Sequence, residues 1–329
     1  MYVKPKKELG QHFLRDEEIA LRIVDALQDN GGTAIATPIV ATEADKSDAN
    51  STETIAAEKT PKMEVLEIGP GMGVLTKYLL KREDVNLKVV EIDKESVNYL
   101  LINYPEMASG LYEADFLQMS LENIYKSDFN IIGNFPYNIS SQIFFKVLDY
   151  KDQIPQVVGM LQKEVAERLC SPAGKKSYGI LSVLLQAWYN MEYLFTVEPF
   201  SFIPPPKVRS AVIRLTRNER TELGCDPVLF KSVIKTCFNQ RRKTIRNSIR
   251  PLIANMQNNV IQVQQKGKSY ERTKNSESIT GSKNLVLPEI KGTNLKCEEV
   301  NFLDLRPEQM SVEMFITFTN ALQNLYIEA

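Results

Sequence analysis

The chain has 329 residues, of which 43% are hydrophobic and 25% are charged, and its formal net charge is −1. This length and composition suit one large folded domain plus a smaller one, and they exclude a uniformly basic nucleic-acid binder. No run approaches the roughly 18 apolar residues of a membrane span and no apolar segment follows the basic start, so we expect a cytoplasmic protein without a membrane partner.

The first predicted helix begins after Asp16, a residue type that caps helix N-termini. Ile19, Ile23, Val24 and Leu27 then recur at helical spacing. From about residue 30 to 62 the chain becomes rich in Thr, Ala, Asp, Glu and Ser and holds almost no large apolar residue. This stretch predicts a disordered insertion, which we interpret as a linker.

Short strand-like runs then alternate with amphipathic helical segments, a pattern typical of a parallel sheet. The runs are MEVLEIG, NLKVVEID, GLYEADF, NIIGNFPY and QVVGML. Two further runs, MEYLFTVEP and VRSAVIRL, are separated by the stiff segment PFSFIPPPK and not by a helix, so they suit an antiparallel pair at one sheet edge. The sequence therefore predicts a doubly wound α/β domain of about seven strands over residues 1–218.

Residues 219–329 predict a smaller helical domain. Asp226 and Pro227 provide an N-cap and a first-turn proline for a long helix, and SVEMFITFTNALQNLY predicts another near the end. A polar stretch at about residues 255–284 predicts a second disordered insertion. Between Lys231 and Arg250 the chain carries seven basic residues and no acidic one. This local charge of +7 stands out against the net charge of −1, and a solvated helix face is one interpretation of it.

A nucleoside-binding pattern runs over the first three strands. Residues 67–73, EIGPGMG, close one strand and open a helix, where glycines let a ligand approach the backbone. Glu91 ends the next strand and can accept from ribose hydroxyls, while Asp115 ends the third and can accept from an adenine amino group beside Phe116. A plain glycine-rich turn or a dinucleotide site is the alternative for the glycines alone, and helix capping is the alternative for the acids.

Asn134-Phe135-Pro136-Tyr137 ends the fourth strand and resembles the Asn-x-Pro-Tyr form of the amino-group methyltransferase motif. An exocyclic amine is a poor nucleophile, and acceptors for its two N–H groups favour the pyramidal form that attacks. The Asn134 side-chain oxygen and the Phe135 carbonyl are the expected acceptors, Pro136 stiffens them, and Tyr137 stacks on the base. A simple strand-to-helix turn is the alternative.

Ordered motifs along most of the chain resemble the ribosomal RNA adenine N6-dimethyltransferase family, in particular its bacterial small-subunit members. They are LGQHFL, EIGPGMGVLT, VVEID, EADFL, NFPYNISSQIFFK, LQKEVAERL, YGILSVLLQ, FIPPPKVRSAVIRL and FNQRRKTIRNSIR. The resemblance implies a Rossmann-like class I methyltransferase fold and S-adenosyl-L-methionine as cofactor. It also implies dimethylation of two adjacent adenosines in a 3′-terminal hairpin loop of 16S rRNA, within a pre-30S particle, by a monomer.

The resemblance also assigns roles to individual residues. His12 and Leu14 belong to an N-terminal lid over the methionine part of the cofactor, and we expect His12 to make a contact without transferring a proton. Phe202 is the second aromatic residue of a sandwich around the flipped adenine, opposite Tyr137, with a core phenylalanine as the alternative. The remaining cofactor residues are Gly69, Gly71, Glu91, Asp115 and Asn134, and the phosphate contacts are Arg241, Arg242, Lys243, Arg246 and Arg250.

Two other functions stay open at this point. One is methylation of large-subunit rRNA by the related macrolide-resistance enzymes, which share the fold and cofactor motifs. The other is a ribosome-assembly factor that keeps the fold without catalysis. No metal is expected, because the four cysteines form no metal-ligating pair and lie far apart, at Cys170, Cys225, Cys237 and Cys297.

Overall fold

The computed structural model describes residues 3–28, 62–256, 291–293 and 299–327. The two predicted polar insertions, at about residues 30–62 and 255–284, lie almost entirely outside these ranges, so their disorder stays a prediction.

The helices begin largely where the sequence predicts. Asp16 caps the first helix by accepting a hydrogen bond from the Ile19 amide, and Asp226 caps the long helix of the C-terminal part through the Leu229 amide. The helices are α1 Glu17–Asp25, α2 Thr76–Leu79, α3 Lys94–Asn103, α4 Ser140–Asp149, α5 Lys163–Leu169, α6 Ile180–Gln186, α7 Pro227–Asn239, α8 Ile245–Ser248 and α9 Val312–Ile327.

A seven-stranded mixed sheet has the order β4-β3-β2-β5-β6-β9-β7, which confirms the predicted fold class. The neighbours from β4 through β6 pair in parallel. Short pairs join β1 to β8 and β10 to β11. The strands are β1 Phe13–Leu14, β2 Met63–Ile68, β3 Val85–Glu91, β4 Leu111–Glu113, β5 Asn130–Asn134, β6 Gln156–Gln162, β7 Tyr189–Val197, β8 Phe202–Ile203, β9 Ser210–Arg217, β10 Lys291–Thr293 and β11 Glu299–Asn301.

The central strands are buried on both faces, as parallel strands covered by helices must be. Val65 and Leu66 of β2, Ile131 and Ile132 of β5 and Val157 of β6 are fully shielded from solvent. Parallel pairing places the carboxyl ends of β2, β3, β4 and β5 at one edge of the sheet, where ligands bind in open α/β sheets. The residues that follow these strands therefore form the candidate site.

The described residues divide into two compact units. The first holds the described residues within 1–143, 150–161 and 195–214, and the second holds those within 144–149, 162–194 and 215–329. The second unit has its own apolar core, in which α7 packs against α9 and buries Val233, Ile234 and Phe315. The predicted domain limits, 1–218 and 219–329, stay a prediction.

Within the described ranges, no helix combines the length and the hydrophobicity that crossing a bilayer requires.

Candidate active site

The turn after β2 brings main chain, rather than side chains, to the edge of the sheet. Gly69 and Gly71 have φ values of 66° and 56°, in the left-handed region that glycine adopts without strain. A Cβ atom on Gly71 would lie 2.8 Å from Cε1 of Phe13. Only glycine therefore fits under the Phe13 ring, and the backbone of this turn lines the cleft.

Glu91, at the end of β3, holds the glycine turn in place. One carboxylate oxygen accepts from the Gly71 amide at 3.0 Å, and the other accepts from the amides of Ile92 and Asp93 at 2.9 Å each. Burial raises the pKa of the Glu91 carboxyl, and these backbone hydrogen bonds oppose the shift. A carboxylate has about four acceptor positions, so three backbone donors leave about one for a ribose hydroxyl.

A second buried acid, Glu67, was not singled out from the sequence. It lies on β2, is 1% exposed, and accepts a hydrogen bond from the Thr76 hydroxyl at 2.7 Å. Burial raises its pKa to about 8; the Thr76 bond opposes this shift and the nearby Glu91 charge adds to it. The signal was an acid between two apolar residues, Leu66 and Ile68, near the end of a parallel strand, since such strands bury both faces.

Asp115 and Phe116 follow β4 and line the same cleft. One carboxylate oxygen of Asp115 accepts from the Leu117 amide at 2.9 Å, which fixes the side chain at the start of the loop. Phe116 is 4% exposed, so its ring forms a wall of the cleft and not a surface contact. This arrangement can hold a flat base beside a hydrogen-bond acceptor.

Asn134 ends β5 with its side chain oriented by the N-terminal part of the chain. Its side-chain nitrogen donates to the main-chain oxygen of His12 at 2.9 Å. Among the described residues, its side-chain oxygen Oδ1 has no hydrogen-bond partner. The amide group therefore presents an acceptor, which is what an attacking amine requires.

Phe135 and Pro136 fix the backbone after Asn134. The Phe135 ring is 1% exposed and lies over Gly133 of β5 and Gly159 of β6. A Cβ atom on either glycine would overlap the ring. The Phe135 amide donates to the Met160 oxygen at 2.9 Å. Pro136 is half-buried against Gly69. The ring of Phe135 thus anchors the loop. The main-chain oxygen of Phe135 stays the candidate for the second acceptor of the amine hydrogens, beside the Asn134 side-chain oxygen.

Tyr137 and His12 lie side by side on the cleft. Their ring centroids are 5.3 Å apart with an interplanar angle of 27°. The Tyr137 hydroxyl shares a hydrogen bond with that of Ser210, and burial raises the pKa of the Tyr137 phenol while this bond opposes the shift. His12 Nδ1 lies 2.8 Å from the Pro204 oxygen. Both rings are therefore fixed by polar contacts at their edges.

Residues 3–14, here called the N-terminal strap, contribute one side of the cleft. Leu9 to Phe13 line it. Leu14 is buried and lines only a smaller adjoining hollow, which it shares with Gly69, Gly71 and Asn134. Its register partner Phe202 is 2% exposed and does not line the cleft. The structure therefore does not bring Phe202 to the position that a base-stacking aromatic residue would need.

The basic cluster of the C-terminal part divides into engaged and free side chains. Arg241 is 3.6 Å from the Glu308 carboxylate and also donates to the Lys176 oxygen, and Arg246 is 3.0 Å from Asp304. The segment itself contains no acid, but folding brings both of these acids beside it from a distant part of the sequence. Of the five predicted phosphate contacts, three side chains are exposed and have no ion-pair partner within the described residues: Arg242, Lys243 and Arg250.

The predicted cofactor and catalytic residues otherwise meet at one place. A single cleft of the first unit is lined by His12, Gly69, Gly71, Glu91, Asp115, Asn134, Pro136 and Tyr137. These residues come from the N-terminal strap and from the carboxyl ends of four strands.

A model of the ribosomal RNA adenine dimethylase family matches residues 3–278. The chain belongs to this family. This match confirms both the family and the methyl-transfer reaction that the sequence motifs predict. The chain is 55% identical over 251 residues to ribosomal RNA small subunit methyltransferase A of Parabacteroides distasonis, covering 76% of this chain and 83% of that protein. It is 45% identical over 322 residues to the enzyme of the same name from Flavobacterium johnsoniae, covering 98% of this chain and 97% of that protein.

Two solved structures share the fold. A dimethyladenosine transferase from Plasmodium falciparum has a TM-score of 0.60 and 20% identity, and the match covers 80% of this chain and 92% of that one. The 23S rRNA methyltransferase ErmE has a TM-score of 0.54 and 21% identity, and its match covers 94% and 99%. At these identities the likeness concerns the fold and does not separate small-subunit from large-subunit substrates.

Proposed function

We propose that this protein transfers methyl groups from S-adenosyl-L-methionine to N6 of two adjacent adenosines in small-subunit rRNA. The observation that carries the proposal is the single cleft that joins the glycine turn, Glu91, Asp115 and the Asn134–Tyr137 motif. The small-subunit substrate follows from the names of relatives at 45–55% identity. We place the reaction on a pre-30S particle in the cytoplasm, with the enzyme as a monomer.

The cleft residues fit the adenosyl part of the cofactor. Gly69 and Gly71 line the cleft with main chain and carry no side chain of their own, so a ligand can approach the backbone there. The remaining acceptor position of Glu91 suits a ribose hydroxyl, and Asp115 suits the adenine amino group. When bound, the cofactor supplies a methyl group on a sulfonium centre. We assign His12 and Leu14 to the wall around its methionine part.

The target amine is held by acceptors of the Asn134 motif. The free Oδ1 of Asn134 and the main-chain oxygen of Phe135 accept its two N–H groups, which directs the nitrogen lone pair toward the methyl group. Because Asn134 is oriented by His12 and Phe135 is anchored in the sheet, these acceptors are in place before the substrate arrives. Such preorganised hydrogen bonds are worth about a hundredfold to a thousandfold in rate.

The target base must leave its stack to reach this cleft. Flipping a base costs a few kcal/mol, which stacking on an aromatic ring offsets in part. We assign this stacking to Tyr137, whose ring position is fixed by Ser210 and by His12. A matching role for Phe202 requires its buried ring to become exposed when RNA binds.

Phosphate groups of the rRNA contact the basic cluster. The exposed side chains of Arg242, Lys243 and Arg250 are available for this, whereas Arg241 and Arg246 must exchange an intramolecular carboxylate for a phosphate. Contacts to phosphates position the RNA without reading its sequence.

The test is transfer of a labelled methyl group by the purified protein to immature small subunits, in parallel with naked large-subunit RNA. We expect N6,N6-dimethyladenosine only in the small-subunit RNA. Product only in the large-subunit RNA would show the macrolide-resistance type of activity. No transfer, together with no calorimetric binding of S-adenosyl-L-methionine, would identify a non-catalytic assembly factor.

A further inference from the structure

The N-terminal strap is fastened to the segment after β3 by a buried carboxylate. The Lys6 ammonium group forms an ion pair with Asp93 and lies 3.2 Å from Glu95. The Asp93 side chain is 1% exposed, while that of Lys6 is 30% exposed. Burial alone would raise the pKa of Asp93, but hydrogen bonds from Lys6, Ser96 and Gln11 outweigh it and lower the pKa. The carboxylate is therefore charged and paired.

Gln11 makes the fastening bidentate. Its side-chain nitrogen donates to the second oxygen of Asp93 at 3.3 Å, and its side-chain oxygen accepts from the Lys6 amide at 2.9 Å. Lys6, Gln11 and Asp93 thus form a closed ring of hydrogen bonds. Residues between Lys6 and Gln11 cannot move away from the cleft unless this ring opens.

The ring also contacts the cofactor-binding residues. The Asp93 amide donates to Glu91 at 2.9 Å, and the same Glu91 carboxylate accepts from Gly71. On the other side, Gln11 and its neighbours Gly10 and His12 line the cleft directly. Asp93 therefore contacts both Glu91, which forms the floor of the cleft, and the N-terminal strap, which forms its wall.

We propose that the Lys6–Asp93 pair, with Gln11, is a latch that holds the N-terminal strap against the cleft and thereby sets the affinity for the methyl donor. This inference rests on the proposed function and adds positioning residues to it. If a ligand binds only when the strap is in place, its apparent Kd is the intrinsic Kd divided by the fraction of molecules in which the strap is in place. Loss of the latch therefore weakens donor binding. Once the donor is bound, the strap is held in place again, so His12 still orients Asn134 and the chemical step at saturating donor is largely intact.

The test compares Lys6→Met with Lys7→Met in the full-length protein. Lys7 lies on the same strap, is exposed, and has no ion-pair partner among the described residues, so its substitution makes the same charge change without opening the latch. By calorimetry with S-adenosyl-L-methionine, Lys6→Met should raise Kd by roughly three- to tenfold, in the range of a partly exposed charged pair, and Lys7→Met should leave it unchanged. At saturating donor, kcat of Lys6→Met should stay near that of the wild type.

A double-mutant cycle separates a latch from a merely structural role of Asp93, which also caps α3. Asp93→Asn keeps an oxygen for capping and removes the charge, so its effect on Kd should not add to that of Lys6→Met. Lys6→Arg should restore donor affinity, and added salt should weaken binding to the wild type more than to Lys6→Met. If the wild type binds the donor and Lys6→Met binds it equally well, the latch proposal is wrong. If the wild type itself binds no donor, the proposed function is wrong, whatever the variants do.

Discussion

The side-chain nitrogen of Asn134 donates a hydrogen bond to the main-chain oxygen of His12, 2.9 Å away. An amide group has one donor end and one acceptor end, so this bond determines which end faces the cleft. The N-terminal strap therefore orients the acceptor on which the proposed methyl transfer depends. Sequence alone places both residues in the site but not in contact, because they are separated by more than a hundred positions.

Replacing Asn134 by alanine should lower kcat by about a hundredfold or more, the cost of one transition-state hydrogen-bond partner. The donor Kd should change much less, because Glu91 and the glycine turn remain. Single-turnover methyl transfer on immature small subunits, combined with calorimetry, separates the two quantities. Turnover close to that of the wild type would refute the assigned role of Asn134.

Replacing Gly159 by alanine should disrupt the Asn134–Tyr137 loop from beneath. The new Cβ would overlap the Phe135 ring, which has no space to move in a fully buried position. Overpacking of this kind costs about 1–3 kcal/mol of unfolding free energy. Thermal unfolding and turnover should both fall, whereas Gly179→Ala, where a Cβ meets nothing closer than 3.8 Å, should change turnover little. Full activity of Gly159→Ala would contradict the anchoring role of Phe135.

The buried carboxyl of Glu67 should make stability depend on pH. Its pKa is about 8 in the folded chain, against an ordinary value of 4.5, so between these values the folded state binds more protons than the unfolded state. The contribution of Glu67 to stability is full below the lower value and is lost as the pH rises toward the upper one, by up to about 1.4 kcal/mol per pH unit.

Glu67→Gln stays neutral at every pH and should remove this slope. The measurement is the difference in unfolding free energy between variant and wild type at about pH 5.5 and about pH 8.5, by denaturant titration. Glu64→Gln is the matched control, since Glu64 lies on the same strand but is partly exposed and paired with Lys88. An equal pH dependence in wild type and Glu67→Gln would overturn the assignment.

The exposed part of the basic cluster should carry the salt dependence of RNA binding. Arg242→Gln combined with Lys243→Gln should weaken binding to small-subunit rRNA and reduce the slope of log K against log salt concentration by about one to two. Arg241→Gln should act more on unfolding free energy, because Arg241 is paired with Glu308. An unchanged slope in the double variant would exclude these two side chains from the phosphate contacts.

Local patterns predicted much of this molecule. Asp16 caps its helix, Glu91 ends β3 and Asn134 ends β5, and each of these positions follows from a short run of sequence. Since parallel strands end at one edge, their placement at strand ends was enough to gather them into one site.

Long-range packing accounts for what the sequence did not predict. The acids beside Arg241 and Arg246 come from positions 308 and 304, and no local pattern links them. Phe202 matches its motif yet is buried, because the register of β8 with β1 is set by the tertiary fold. The high pKa of Glu67 likewise depends on complete burial, which the strand pattern allows but does not require.

A crystal structure of the protein with S-adenosylhomocysteine, the demethylated form of the proposed cofactor, would show directly whether the cleft is the methyl-donor site. We expect a ribose hydroxyl on Glu91, the adenine ring between Asp115 and Phe116, and the sulfur atom facing Asn134. A ligand bound away from this cleft, or bound with its sulfur turned away from Asn134, would contradict this expectation.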